Sequence, residues 1–191
     1  MSIIKDISLA AEGRDKIEWV KSYMPVLSSI EEEFKKTKPF AGMKIAMSIH
    51  LEAKTAYLAT VLHAGGAEVY STGCNPLSTQ DDVAAALSTM DVEVFGVHGA
   101  EENEYRTHLM AALSCHPDLV IDDGGDFIEL LHGECRARAF GDRLLGGCEE
   151  TTTGIHRLKL RVRAGTLDYP MIDINDADCK HLFDNRYGTG Q

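Results

Sequence analysis

The chain has 191 residues, a formal net charge of -11 and a hydrophobic fraction of 44%. This length fits one domain with a substantial core, and the acidic balance argues against nucleic acid and anionic membranes as partners. The five cysteines form no CxxC pair, so neither a zinc knuckle nor a disulfide framework is predicted. The N-terminus lacks a signal-peptide pattern and no apolar run reaches membrane-spanning length, so we expect a cytoplasmic chain with reduced thiols.

The first part of the chain predicts helix. In "GRDKIEWVKSYMPVLSSIEEEFKKTKPF" the apolar residues recur at steps of three and four, which is the period of an amphipathic helix. Pro25 interrupts the pattern, so we expect it to kink or divide the helix.

Five short apolar runs follow, and helix-like segments separate them. The runs are "KIAMSIH", "AEVYSTG", "VEVFGVHG", "DLVIDDGGD" and "YPMIDINDA". Strands that alternate with helices indicate βαβ units. The predicted fold class is therefore α/β, with a doubly wound, mostly parallel sheet (flavodoxin-like or Rossmann-like) flanked by helices and preceded by the N-terminal helical segment.

Polar side chains stand at or just beyond the carboxyl ends of these predicted strands, where open parallel sheets bind their ligands. His50 ends the first strand, Asn75 follows the second, His98 ends the third, Asp122 and Asp123 end the fourth, and Asn175 follows the fifth. Any one of them could instead cap a helix. Together they favour a ligand site at this edge.

Three motifs could carry chemistry. "VIDDGGD" fits a magnesium site, acid/base work, hydrogen bonding to sugar hydroxyls, or a turn with a helix cap. "GGCEETTTG" favours neither helix nor buried strand and offers donors and acceptors for a polyhydroxy ligand, although a strand or capping loop is the alternative. In "KHLFDNRYG", Lys180 and Asp184 would share one face of a helix, either as a surface ion pair or as a proton-transfer pair in a water-poor cleft.

Taken together, these motifs resemble the S-adenosyl-L-homocysteine hydrolase (adenosylhomocysteinase) family. The matching stretches run through nearly the whole chain in the family's order, and "EETTTG" and "KHLFDNRYG" are the most specific. "HLEAKTA" and "GCNPLSTQDD" are similar to the archaeal and thermophilic-bacterial branch. The resemblance implies reversible hydrolysis of S-adenosyl-L-homocysteine to adenosine and homocysteine, with NAD oxidising the ribose 3′-hydroxyl before elimination and reducing the ketone after water addition.

The resemblance also implies a catalytic role for five residues. Lys180 and Asp184 match the pair that handles the proton of the 3′-hydroxyl. His50 and Asp123 match the acid/base groups around C4′ and the 5′ leaving group. Glu150 matches the carboxylate that binds the ribose and orients the lysine. No metal is implied, which weakens the magnesium interpretation.

Binding residues follow from the same resemblance. Thr151, Thr152 and Thr153 match threonines that touch NAD, and Asn185 matches a residue near the nicotinamide. Asn75 is expected to belong to the same cleft. The implied partners are one NAD per subunit and a small nucleoside thioether, in a homotetramer when the enzyme is complete.

Three positions depart from the family pattern. Lys54 stands where many members have the glutamate that accepts a hydrogen bond from the adenine amino group, and Glu52 replaces a threonine. An ammonium only donates, so it suits a 6-oxo base, and S-inosyl-L-homocysteine becomes an alternative substrate. Thr189 stands where much of the family has cysteine.

The family continues into a Rossmann domain with a GxGxxG turn and a C-terminal segment, and nothing in these 191 residues resembles either. We therefore expect residues 1–191 to be the substrate-binding domain alone, unable to hold NAD tightly and inactive in isolation. The alternative is a non-catalytic nucleoside-binding module that lacks the cofactor domain.

Overall fold

The central sheet consists of parallel strands in the computed structural model, which describes residues 1–136 and 143–188. Its six strands are β1 (Lys44–Ser48), β2 (Glu68–Thr72), β3 (Val92–Phe95), β4 (Leu119–Asp122), β5 (Gly146–Glu149) and β6 (Met171–Asp173). They lie in the order β3-β2-β1-β4-β5-β6, and every pairing is parallel. The chain therefore reverses its direction of winding between β1 and β4, where a doubly wound sheet opens its ligand crevice.

Helices cover both faces of this sheet and precede it. They are α1 (Ala10–Lys21), α2 (Pro25–Thr37), α3 (Ala53–Ala64), α4 (Asp81–Leu87), α5 (Glu102–Leu113), α6 (Asp126–His132) and α7 (Thr152–Ala164). A 3₁₀ turn (Ile7–Leu9) and a π-helix (Lys180–Gly188) complete the described elements. The predicted fold class is confirmed, and Pro25 divides the N-terminal helical segment by occupying the first position of α2.

The alternation of side chains along β1 explains why the core has two layers. Met47 and Val69 pack with α3 and α4 on one face, and α1 lies across these two helices. Ala46 and Val120 pack with α5 and α6 on the opposite face. Because helices cover both faces of the sheet, the polar side chains at the strand ends are the ones that reach solvent.

The strand β5 was not predicted, because its sequence GGCE is not an apolar run. It is a strand because it pairs with β4 and β6. A side chain at Gly147 would collide with Val120 and Met171, so a residue without Cβ lets the neighbouring strands approach. The interpretation that "GGCEETTTG" favours neither strand nor helix is wrong, since Thr152 and Thr153 begin α7 directly after β5.

No helix within the described ranges 1–136 and 143–188 is both long and apolar enough to cross a bilayer.

Candidate functional site

A cavity of about 1210 Å³ opens at the carboxyl edge of the sheet. Ten residues that the sequence analysis singled out line it, from four separate segments of the chain. They are His50, Glu52, Lys54, Asp123, Glu150, Thr151, Thr152, Lys180, Asp184 and Asn185. The edge rule for parallel sheets therefore located the cavity correctly.

His50 and Asp123 face each other across the switch point between β1 and β4. The distance from His50 Nε2 to Asp123 Oδ2 is 3.8 Å. The Ser78 hydroxyl donates to the carbonyl of Asn75 at 3.0 Å and lies 2.5 Å from His50 Nδ1. When this hydroxyl gives its single proton to Asn75, His50 Nδ1 is the donor of the hydrogen bond. In that tautomer the lone pair of the neutral ring is on Nε2, towards Asp123.

Asp122 does not enter the cavity, although it precedes Asp123 in the motif. It is fully buried, and its carboxyl group accepts hydrogen bonds from the backbone N–H groups of Asp123 and Ile128. Burial and the nearby Glu149 carboxylate raise its pKa to about 8. The capping interpretation thus holds for Asp122, while Asp123 points to the site.

Glu149 is a buried carboxyl group that joins two loops of the site. Its Oε1 accepts from Gly124 N–H at 2.9 Å and from Thr151 N–H at 3.0 Å. Burial raises its pKa to about 7. A Cβ at Gly154 would fall inside this carboxyl group, so glycine is required there. Glu149 thereby fixes the loops that carry Asp123 and Glu150.

Lys180 turns towards Glu150 and not towards Asp184. Its ammonium donates to the backbone carbonyl of Glu150 and lies 3.8 Å from Glu150 Oε2. Within the described residues it forms no ion pair with Asp184, so the surface-pair interpretation is wrong. Burial raises the pKa of Glu150, and the Lys180 charge opposes that rise. The two side chains form the second charged pair of the cavity.

Glu52 caps α3 and is only partly free for a ligand. Its Oε1 accepts from Lys54 N–H at 3.1 Å and Thr55 N–H at 3.2 Å. A pyrophosphate lies at the corresponding helix N-terminus in dinucleotide-binding sheets of this strand order. Here the Glu52 carboxylate occupies that position. Thr151, Thr152 and Asn185 bring hydroxyl and amide groups to the same cavity.

Two predicted residues do not line the cavity. Asn75 is exposed and uses Oδ1 to accept from Leu77 N–H at 2.9 Å, which forms the turn that carries Ser78. Thr153 is exposed on the first turn of α7. Thr189 lies outside the described residues.

Three further lining residues had weaker signals in the sequence. Ser78 lies in an irregular loop, and no motif signalled its contact with His50. His98 and Asn175 were predicted only as polar residues at strand ends, without individual roles. Both line the cavity: His98 contacts the Thr79 carbonyl through Nδ1 at 2.9 Å, and Asn175 is buried.

The chain is similar to one protein family along almost its full length. The model of "S-adenosyl-L-homocysteine hydrolase" matches residues 2–143 and 135–187. The chain is 56% identical to the S-inosyl-L-homocysteine hydrolase of Methanococcus maripaludis over 191 residues, which is 100% of this chain and 46% of that relative. It is 55% identical to the S-inosyl-L-homocysteine hydrolase of Methanocaldococcus jannaschii over 188 residues (98% and 45%). It is 51% identical to the adenosylhomocysteinase of Aquifex aeolicus over 189 residues (98% and 45%). The chain spans less than half the length of these curated relatives.

Proposed function

The chain belongs to the S-adenosyl-L-homocysteine hydrolase family, and we propose that it forms the substrate-binding part of an enzyme that hydrolyses a homocysteine thioether of a nucleoside. The preferred substrate is S-inosyl-L-homocysteine, and S-adenosyl-L-homocysteine is the second candidate. The observation that carries the proposal is the convergence of His50, Asp123, Glu150 and Lys180 on one cavity from separate segments of the chain.

His50 and Asp123 are the proton-transfer pair of this proposal. The neutral imidazole holds its lone pair on Nε2, and the carboxylate 3.8 Å away stabilises the imidazolium that forms when Nε2 takes a proton. A ribose seated between them would lose its C4′ proton to this pair. The same pair can return a proton to the departing sulfur, because the imidazolium formed in the first step is an acid within the site.

Lys180 and Glu150 are the hydroxyl-binding pair. Lys180, positioned by the carbonyl and carboxylate of Glu150, would hold the ribose 3′-oxygen. In its neutral amine form it would take the hydroxyl proton as the hydride leaves the same carbon, and the resulting ammonium would return that proton when the ketone is reduced. NAD, when bound, supplies the hydride acceptor for this carbon and later returns the hydride. Thr151, Thr152 and Asn185 would contact its nicotinamide end, and holding the rest of the cofactor falls to a further domain.

The base preference rests on Lys54. An apolar groove of about 600 Å³ adjoins the cavity and shares Ile49, Lys54 and Thr55 with it, which suits a flat purine. The Lys54 side chain is exposed there and can only donate, so it matches the 6-oxo group of hypoxanthine. Glu52, which lines the adjoining cavity, already gives Oε1 to the helix cap.

Equilibrium binding tests this proposal. We expect the purified chain to bind S-inosyl-L-homocysteine more tightly than S-adenosyl-L-homocysteine by isothermal titration calorimetry. Lys54→Glu should reverse the order, with a combined change of about tenfold or more for a reversed hydrogen bond.

Lys36→Glu is the matched control, because it reverses an exposed lysine charge on α2 away from the cavity. It should leave the ratio of the two affinities unchanged. An unchanged ratio in Lys54→Glu would refute the base assignment. Failure of the unmodified chain to bind either thioether would refute the proposed function itself.

A further inference from the structure

Three metal-ligating side chains meet at one point of the cavity. His50, Cys74 and Asp123 each offer one ligand atom, and these atoms lie within 4.8 Å of one another. The distance from Cys74 Sγ to Asp123 Oδ2 is 3.4 Å, and His50 Nε2 lies 3.8 Å from the same oxygen. Tetrahedral zinc bonds of about 2.0–2.3 Å place neighbouring ligand atoms about 3.3–3.8 Å apart. The Cys74–Asp123 separation falls inside this range and the His50–Asp123 separation at its upper end, and a small movement of the His50 ring would bring all three atoms, now within 4.8 Å of one another, to one ion.

We propose that His50, Cys74 and Asp123 bind a divalent transition-metal ion of the zinc class, and that the bound ion blocks the nucleoside site. A set of one nitrogen, one thiol sulfur and one carboxylate oxygen favours zinc or cobalt over magnesium or calcium, which prefer oxygen alone. Water would complete the coordination. The blocking part of the inference rests on the proposed function, whereas the metal site stands without it.

The histidine is prepared for this role by its hydrogen bond to Ser78. In the tautomer whose Nδ1 donates to the Ser78 hydroxyl, the Nε2 lone pair is directed to the side where Asp123 lies. Metal-bound histidines show this arrangement, in which the second ring nitrogen donates to a neighbouring group that fixes the tautomer. Ser78 is in turn fixed by its donation to the Asn75 carbonyl.

The local charge also favours a cation. The Asp123 carboxylate lies beside both other ligands, and the Cys74 thiol donates its proton to Asp123 Oδ2 at 3.4 Å. A metal ion takes the place of this proton: the sulfur–hydrogen bond breaks, a sulfur–metal bond forms, and the proton goes to solvent.

The ion and the proposed substrate would use the same atoms. His50 Nε2 and Asp123 Oδ2 are the proton-transfer groups proposed for the ribose, and a metal bound to both leaves neither free. The sequence analysis expected no metal in the reaction, and the ion proposed here is an inhibitor, not a participant.

Cobalt titration tests the site on the purified chain. Co²⁺ bound to a thiolate gives a sulfur-to-metal charge-transfer band and intense d–d bands when tetrahedral, and added Zn²⁺ should abolish both. Cys74→Ser and Asp123→Asn should each lose the tetrahedral spectrum, and circular dichroism establishes that they fold. Ser78→Ala should weaken Co²⁺ binding by roughly tenfold.

The control is Cys179→Ser, which removes an exposed thiol outside the cavity and should leave the spectrum unchanged. A spectrum that survives in Cys74→Ser, or disappears in Cys179→Ser, would overturn the site.

Calorimetry with inosine then tests the blocking: saturating Zn²⁺ should abolish inosine binding. Zinc that binds through Cys74 and leaves inosine affinity unchanged overturns the blocking alone. A chain that binds zinc but never inosine contradicts the proposed function and leaves the metal site standing.

Discussion

His50 and Asp123 enter the cavity from loops that the sheet holds in place, whereas Lys180 and Asp184 enter it from an exposed π-helix. The Asp123 loop is fixed by buried carboxyl groups, because Asp122 and Glu149 both accept its backbone N–H groups. The π-helix Lys180–Gly188 buries no residue. The side of the cavity that carries His50 and Asp123 is therefore held in place by the packed core. The π-helix side is attached to the rest of the domain chiefly through Lys180. The difference indicates that folding sets the geometry of the pair proposed for proton transfer, while the side proposed to bind the ribose hydroxyl can adjust.

The largest expected effect comes from filling the space that Glu149 occupies. Gly154→Ala puts a methyl group into the Glu149 carboxyl and must expel it from its two backbone hydrogen bonds. We expect the free energy of unfolding to fall by about 3 kcal/mol, as overpacking and lost buried hydrogen bonds combine. Urea denaturation followed by circular dichroism measures it.

Two further variants isolate the cause of that loss. Thr153→Ala, on the same helical turn but exposed, should change the free energy of unfolding by less than about 0.5 kcal/mol. In a Glu149→Ala background the extra cost of Gly154→Ala should largely vanish, because the colliding group is gone. An equal cost in both backgrounds would contradict the role given to Glu149.

A smaller effect concerns pH. The folded chain raises the pKa of Glu149 from 4.5 to about 7, so the folded state binds more protons than the unfolded state between these values. The contribution of Glu149 is therefore fully present below about pH 4.5 and is lost as the pH rises towards 7. Glu149→Gln removes this loss, and we expect it to gain on the order of 2 kcal/mol relative to the unmodified chain between pH 4.5 and 8.

Urea denaturation across this pH range measures the gain, and Glu33→Gln on the exposed face of α2 is the control. The control should follow the pH dependence of the unmodified chain. If the free energy of unfolding of Glu149→Gln shows the same pH dependence as that of the unmodified chain, the Glu149 carboxyl group does not titrate in this pH range.

The smallest effect on stability is expected on the other side of the cavity. Lys180→Ala removes the ammonium that bonds to Glu150, and the free energy of unfolding should change by less than about 1 kcal/mol. Hydrogen exchange should nevertheless accelerate in residues Lys180–Gly188 and stay constant around Asp122 and Asp123. Arg186→Ala, on the same π-helix, should leave exchange unchanged. If hydrogen exchange in residues Lys180–Gly188 is the same in Lys180→Ala as in the unmodified chain, other contacts hold this π-helix in place.

The fold was largely predictable because five of its strands are short apolar runs. The alternation of these runs with helix-like segments is enough to predict a parallel sheet from the sequence, before any tertiary contact is known. The strand β5 could not be predicted, since Gly146 and Gly147 have no hydrophobic pattern and only pairing with β4 and β6 makes them a strand. Tertiary contacts thus overrode local preference at this position.

The residues of the site that lie at strand ends could be predicted from the sequence. His50 and Asp123 follow β1 and β4, and the rule for parallel sheets brings them together. The same reasoning gave equal weight to Asp122 and Asp123, because sequence cannot tell which of two adjacent carboxyl groups turns into the core. The Lys180–Glu150 contact was suggested only by family resemblance, since it joins residues far apart in the chain.

The carboxylate of Glu52 at the start of α3 gives the cavity a means of rejecting competitors. Phosphorylated nucleosides carry the same base and ribose as the proposed substrate and differ from it mainly by their negative charge. At this helix N-terminus the N–H groups of Lys54 and Thr55 are already engaged, and Asp123 and Glu150 repel an anion from the opposite side. A 5′-phosphate placed at this helix N-terminus would therefore meet the Glu52 carboxylate, and the N–H groups of Lys54 and Thr55 would not be free to bind it.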